Sequence, residues 1–142
     1  MARIIVVYWS GTGNTARMAE LIAEGAAAAG AEVTCKSVSD ASVAEALGFD
    51  RIALGSPAMG AEVIEEQEME PFVEELSKSI QDRKIGLFGS YDWGDGEWLR
   101  SWAERLRGHG AQLADEGLAV HLAPEGDDQE RCRAWGRQLP AF

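Results

Sequence analysis

Ile4-Ile5-Val6-Val7-Tyr8-Trp9, then Ser10-Gly11-Thr12-Gly13-Asn14-Thr15, then a run containing Met18, Leu21, Ile22 and Gly25, decides the fold. The first run is apolar and β-branched without alternation, the pattern of a central strand covered on both faces. The third recurs at helical spacing, so a helix is expected from about Gly13 to Ala29, stopped by Gly30. A strand, a small-residue turn and a helix form a cradle for phosphate. Backbone N–H groups converge on the anion, and the helix N-terminus adds partial positive charge. The hydroxyls of Ser10, Thr12 and Thr15 and the Asn14 amide add donors, and no Lys or Arg lies in the turn. That absence removes the nucleoside-triphosphate loop, which needs a Lys after its last glycine. The dinucleotide fingerprint survives only with Ala16 in the place of its third glycine. One terminal phosphate held without a cation fits best. Taken alone, the segment also fits an ordinary strand-to-helix turn with a good cap.

Outward from this turn, strands and helices alternate. Strands are expected at Glu32–Ser37, Arg51–Gly55, Lys84–Ser90 and Gly117–Leu122. The first of these is short and polar, with Val33 and Cys35 on one face, which suits a sheet edge. Helices are expected at Val43–Leu47, within Glu65–Ile80 from near Pro71, at Glu97–Arg107 and from Asp127 to Leu139. Trp98, Trp102 and Trp135 fall on these helices and are assigned to helix–sheet packing. The alternation makes residues 1–142 one α/β domain, a parallel sheet with helices on both faces. Such sheets bind ligands beyond the carboxyl ends of their strands, where the strand order switches. The loops 10–15, 56–62 and 90–96 all lie there.

Composition narrows the partners. Asp and Glu number 24 against 13 Lys and Arg, a net charge of −11. That opposes binding to nucleic acid or an anionic membrane and suits a basic protein partner. Cys35 and Cys132 are far apart in sequence and are expected as buried or half-buried free thiols in a reducing cytoplasm. No signal peptide or membrane-spanning run is expected. His109 and His121 have no metal-like constellation, Arg17 is expected on the surface, and no nucleophile–His–acid arrangement is apparent.

Three motifs then resemble the flavodoxin family, most closely its short-chain members from anaerobic bacteria. They are Tyr8 through Thr15, Ala58-Met59-Gly60 with Glu62, and Phe88-Gly89-Ser90-Tyr91 with Trp93-Gly94-Asp95-Gly96. The resemblance implies a three-layer flavodoxin-like sandwich with a five-stranded parallel sheet in the order 2-1-3-4-5, its fifth strand uninterrupted. FMN at the switch point is known for such sheets. It implies an electron carrier rather than an enzyme, a monomer of the cytoplasm. Such a protein cycles FMN at low potential between semiquinone and hydroquinone and serves basic redox proteins. An FMN-dependent quinone or small-molecule reductase on the same fold is the alternative.

By the same resemblance Ser10, Gly11, Thr12, Gly13, Asn14 and Thr15 hold the FMN phosphate, and the flavin lies among Pro57, Ala58, Met59, Gly60, Ala61 and Glu62 and Ser90, Tyr91, Asp92, Trp93, Gly94 and Asp95. Trp93 stacks on one face of the ring, Met59 packs on the other, Glu62 meets the N3 edge, and the Gly60 carbonyl is the redox switch. Relatives more often carry an acidic residue at position 61 and often Gly at position 92. A four-residue turn from Met59 to Glu62 would need positive φ at Ala61 or at Gly60, according to which way the carbonyl points. Ala accepts it less readily, so Ala61 is expected to favour the reduced geometry. Glu62, Glu65, Glu66, Glu68, Glu70, Glu74 and Glu75, with Asp92, Asp95 and Glu97, are expected to form an acidic docking rim around the flavin edge.

Overall fold

A computed structural model describes residues 1–142. The central strand β1 is Arg3–Tyr8, and its two faces are buried by alternate residues. Ile4 and Val6 join one core with Met18, Leu21, Ile22, Cys132 and Trp135. Ile5 and Val7 join the other with Phe72, Val73, Leu76, Trp98, Trp102 and Leu106. The unbroken apolar run is thus read out as two cores by a period of two.

The sheet runs β2 (Glu32–Ser37), β1, β3 (Arg51–Gly55), β4 (Lys84–Tyr91), and then two short strands, with every pairing parallel. Helices α1 (Asn14–Ala28) and α5 (Asp127–Gln138) cover one face. Helices α2 (Val43–Leu47), α3 (Met69–Leu76) and α4 (Glu97–Gly108) cover the other. The chain leaves β1 for β2 and returns across β1 to β3, so the strand order switches between β1 and β3.

Strand boundaries differ from expectation at the far edge. The fifth strand is not continuous: β5 (Gln112–Leu113) pairs with Lys84–Ile85, and β6 (Leu118–His121) pairs with Phe88–Tyr91. Between them Asp115 leaves the ladder; its carboxylate accepts from Gly117 N–H at 2.8 Å and from Trp135 Nε1–H at 2.8 Å. β2 is the sheet edge, as its polar pattern required. Trp98, Trp102 and Trp135 are buried against the sheet. Cys132 is fully buried, and burial pushes its thiol up to about 11, whereas Cys35, expected to be at least half-buried, is exposed on the edge strand β2. No helix is long and apolar enough to cross a membrane.

Candidate functional site

The carboxyl ends of β1, β3 and β4 open into a cleft of about 270 Å³. The end of β1 supplies Ser10, Gly11, Thr12, Asn14 and Thr15; the end of β3 supplies Pro57, Ala58 and Met59; the end of β4 supplies Ser90, Tyr91 and Asp92. Trp9 and Leu122 complete its lining, and neither was expected among the site residues. Trp9 is identifiable only as the residue before the turn. Leu122 arrives through the β4–β6 pairing, where its N–H donates to Tyr91 C=O at 2.8 Å.

The turn after β1 is built to receive an anion. Ser10 Oγ accepts from Gly13 N–H at 3.1 Å and Ala16 N–H at 3.2 Å, which folds the loop back on itself. Gly13 takes φ +97°, which glycine adopts at little cost. The N–H groups of Ser10, Gly11, Thr12, Asn14 and Thr15 find no acceptor in the protein. The first turn of α1 carries no acidic residue. Arg17 pairs with Glu20 at 3.3 Å on the surface, so no cation is committed to the turn. Unpaired N–H groups at a helix start form a ready anion site. Of the three hydroxyls, Thr15's is already engaged, 2.9 Å from Ser90 Oγ and buried.

The second loop is fixed at both ends. Ser56 Oγ accepts from Glu65 N–H at 2.9 Å, and Ser56 C=O accepts from Trp98 Nε1–H at 3.0 Å. The turn closes one residue later than the sequence suggested. Met59 and Val63 exchange two backbone bonds at 2.8 and 3.1 Å, leaving Gly60, Ala61 and Glu62 as its crest. Positive φ falls on Gly60 (+44°) and Glu62 (+56°) and not on Ala61. The four-residue turn is therefore corrected to a three-residue crest; positive φ falls on Gly60, one of the two expected positions, and also on Glu62, where none was expected.

Gly60, Ala61, Glu62, Trp93, Gly94 and Asp95 lie outside the cleft lining, as does Gly13. Trp93 projects into solvent, 61% exposed. Glu62 lies against the third loop: a Cβ on Gly94 would sit 2.1 Å from its Oε1. That oxygen is buried and has no hydrogen-bond partner. His121, which has no metal-like constellation in the sequence, is exposed, with Nε2 3.0 Å from Asp92 O.

The acidic rim is smaller than its sequence suggests. Glu65 is only 4% exposed, and its carboxylate accepts from the N–H groups of Gln67, Glu68 and Met69 at 2.7–2.8 Å. It caps the start of α3 and cannot serve in docking. Glu70 is locked to Arg105 by two bonds of 2.7 and 2.6 Å, which raise the guanidinium's pKa. Glu68 accepts from Trp9 Nε1–H at 3.2 Å, and Arg100 pairs with both Asp95 and Glu97. Glu66, Glu74 and Asp92 keep exposed carboxylates without an ion pair.

A row of unpaired N–H groups and apolar walls from Pro57 to Met59 fit a flavin nucleotide, while the orphaned acceptor of Glu62 lies beside this cleft, against the third loop. No group of side chains is arranged to hold a metal ion. Comparison with known proteins bears on the same point. A family model described as flavodoxin matches residues 6–136. The flavodoxin of Clostridium beijerinckii is 47% identical over 134 residues, covering 94% of this chain and 96% of its own. That of Megasphaera elsdenii is 40% identical over 131 residues, covering 92% and 93%. The solution structure of two-electron reduced Megasphaera elsdenii flavodoxin superposes with a TM-score of 0.88 at 39% identity, covering 98% of this chain and 99% of that one. With its switch-point cleft and these matches along nearly its whole length, the chain belongs to the flavodoxin family of flavin-binding electron carriers.

Proposed function

We propose that this protein is a low-potential one-electron carrier that holds FMN non-covalently between β1 and β3 and serves basic redox proteins as a monomer in the cytoplasm. The carrying observation is the row of acceptor-free N–H groups from Ser10 to Thr15 with no cation beside it. Those groups receive the phosphate dianion. Pro57, Ala58, Met59 and Tyr91 give the ring apolar contact, and Glu62 accepts from its N3–H edge. Trp93 and Met59 exclude water from its two faces, and Asp92 adds a nearby negative charge. FMN when bound supplies the redox chemistry, taking up and returning electrons singly. The protein tunes that chemistry electrostatically. An uncompensated phosphate, Glu62, Asp92 and a net charge of −11 all oppose further negative charge in the cleft, which lowers the potential. Glu66, Glu74 and Asp92 offer a basic partner a long-range attraction.

Titration of the flavin-free protein with FMN and with riboflavin tests this. The expected result is one FMN per chain, with riboflavin at least about tenfold weaker because the N–H groups lose their anion. Equal affinity for the two would refute the assignment of the turn. Anaerobic reductive titration then separates carrier from reductase. Two resolved one-electron steps support the carrier, and a single two-electron step points to the reductase.

A further inference from the structure

Beside the main cleft lies a second one of about 130 Å³, with Glu62, Glu70, Ser101, Trp102 and Arg105 among its walls. Two of its wall residues carry buried polar atoms without partners, Glu62 Oε1 and Trp102 Nε1. One is an acceptor and the other a donor. Trp102 is 2% exposed, and neither its Nε1 nor Glu62 Oε1 is open to water in this structure, so a water joining them requires the two side chains to part slightly. Buried polar groups are normally paired, directly or through ordered water. The cleft has room for water at about 30 Å³ per molecule.

The neighbouring donors are spoken for. Arg105 is held by Glu70 through two bonds of 2.7 and 2.6 Å, and Ser101 Oγ donates to Glu97 at 3.4 Å. Trp98, one helical turn before Trp102, donates its Nε1–H to Ser56 C=O at 3.0 Å. The two tryptophans therefore differ. Trp98 anchors the start of the second loop, and Trp102 presents an uncommitted donor to the cleft that Glu62 shares.

We propose that Trp102 is a positioning residue for Glu62: its Nε1–H holds the Glu62 carboxylate through a water bound in this cleft. A donor to the charged form favours ionisation. One carboxylate oxygen is then fixed from behind, and the other is left for the N3–H edge of the flavin. This last step rests on the FMN assignment; the hydrogen bond itself does not. The other charged groups that share this cleft with Glu62 are the Glu70–Arg105 pair from α3 and α4.

Two measurements test the proposal. The first uses flavin-free protein and follows the Trp102 Nε1–H resonance by 15N–1H NMR as pH falls through the carboxylate range. A shift in the parent that is absent in Glu62→Gln supports the link; a resonance that stays flat in the parent, or moves equally in Glu62→Gln, overturns it. The second measures FMN affinity in the parent, Trp102→Phe, Glu62→Gln and the double variant. Trp102→Phe should weaken binding about tenfold in the parent background and less than about twofold beside Glu62→Gln. Equal losses in both backgrounds, or none in either, overturn the proposal. If Trp102→Phe does not fold, the NMR titration decides. A parent that fails to bind FMN refutes the cofactor assignment and leaves the NMR result standing.

Discussion

The hydroxyls of Thr15 and Ser90 lie 2.9 Å apart, both buried, and join the start of α1 to the end of β4. Ser90 N–H also reaches Thr15 Oγ1, at 3.4 Å. Either single substitution, Thr15→Val or Ser90→Ala, strands the other hydroxyl in the core, at a cost of about 1–3 kcal/mol. The double variant should lose less than the sum of the two, because neither polar group remains. Urea unfolding of the four proteins checks this, and strictly additive losses would count against the pair as a unit.

Gly94→Ala acts on Glu62. The backbone at Gly94 has φ +93°, and an added Cβ would meet Glu62 Oε1 at 2.1 Å. The carboxylate is the far end of a flexible side chain and moves aside, while the positive φ costs about 1–2 kcal/mol. The expected outcome is a modest loss of thermal stability and a marked loss of FMN affinity. Stability loss with unaltered FMN affinity would show that Glu62 does not serve the ring from this position.

Gly25→Ala tests the opposite case, where nothing can yield. A Cβ at Gly25 would lie 2.0 Å from the carbonyl oxygen of Arg133, and one at Gly136 would lie 2.1 Å from that of Ile22. These contacts set the approach of α1 to α5, backbone against backbone. Either alanine should destabilise by about 1–3 kcal/mol or more by forcing the helices apart. Thermal melting checks it.

Glu45 predicts the direction of one pH effect. Its hydrogen bond from Lys36 Nζ, at 2.7 Å, holds the carboxyl below its ordinary value of 4.5. A carboxyl with a lowered folded value stabilises above the unfolded value and loses that contribution as pH falls through the folded one. Glu45→Gln should therefore melt slightly below the parent at neutral pH, with the gap closing as pH drops below 4.5. A gap that widens in acid would contradict the pairing.

Much of this architecture was legible in the chain because its signals are local. The apolar run at Ile4–Val7, the spacing of Met18, Leu21 and Ile22, and the Gly-rich strand ends each specify an element from neighbouring residues alone. What escaped depends on distant partners. Glu65 reads as one more surface acid, because its ligands are backbone N–H groups that leave no mark in the sequence. Leu122 reads as the end of a strand, and only pairing with β4 carries it to the cleft. β5 is two residues long, too short for any periodicity. The turn register was missed because Glu62, unlike glycine, does not advertise its positive φ.

The proposed phosphate site, built of N–H dipoles and hydroxyls without a cation, would also reverse the ordinary response to ionic strength. Where Lys or Arg binds an anion, added salt screens an attraction and weakens the complex. Arg17, the cation nearest the Ser10–Thr15 turn in sequence, is already paired with Glu20, and the chain as a whole carries −11. Dipoles at contact distance are screened little, whereas the repulsion between the dianion and the protein's distant carboxylates is screened strongly. Salt should therefore tighten the hold on the proposed nucleotide while loosening the hold on the basic partners proposed above, so that one dissolved variable moves retention and delivery in opposite directions.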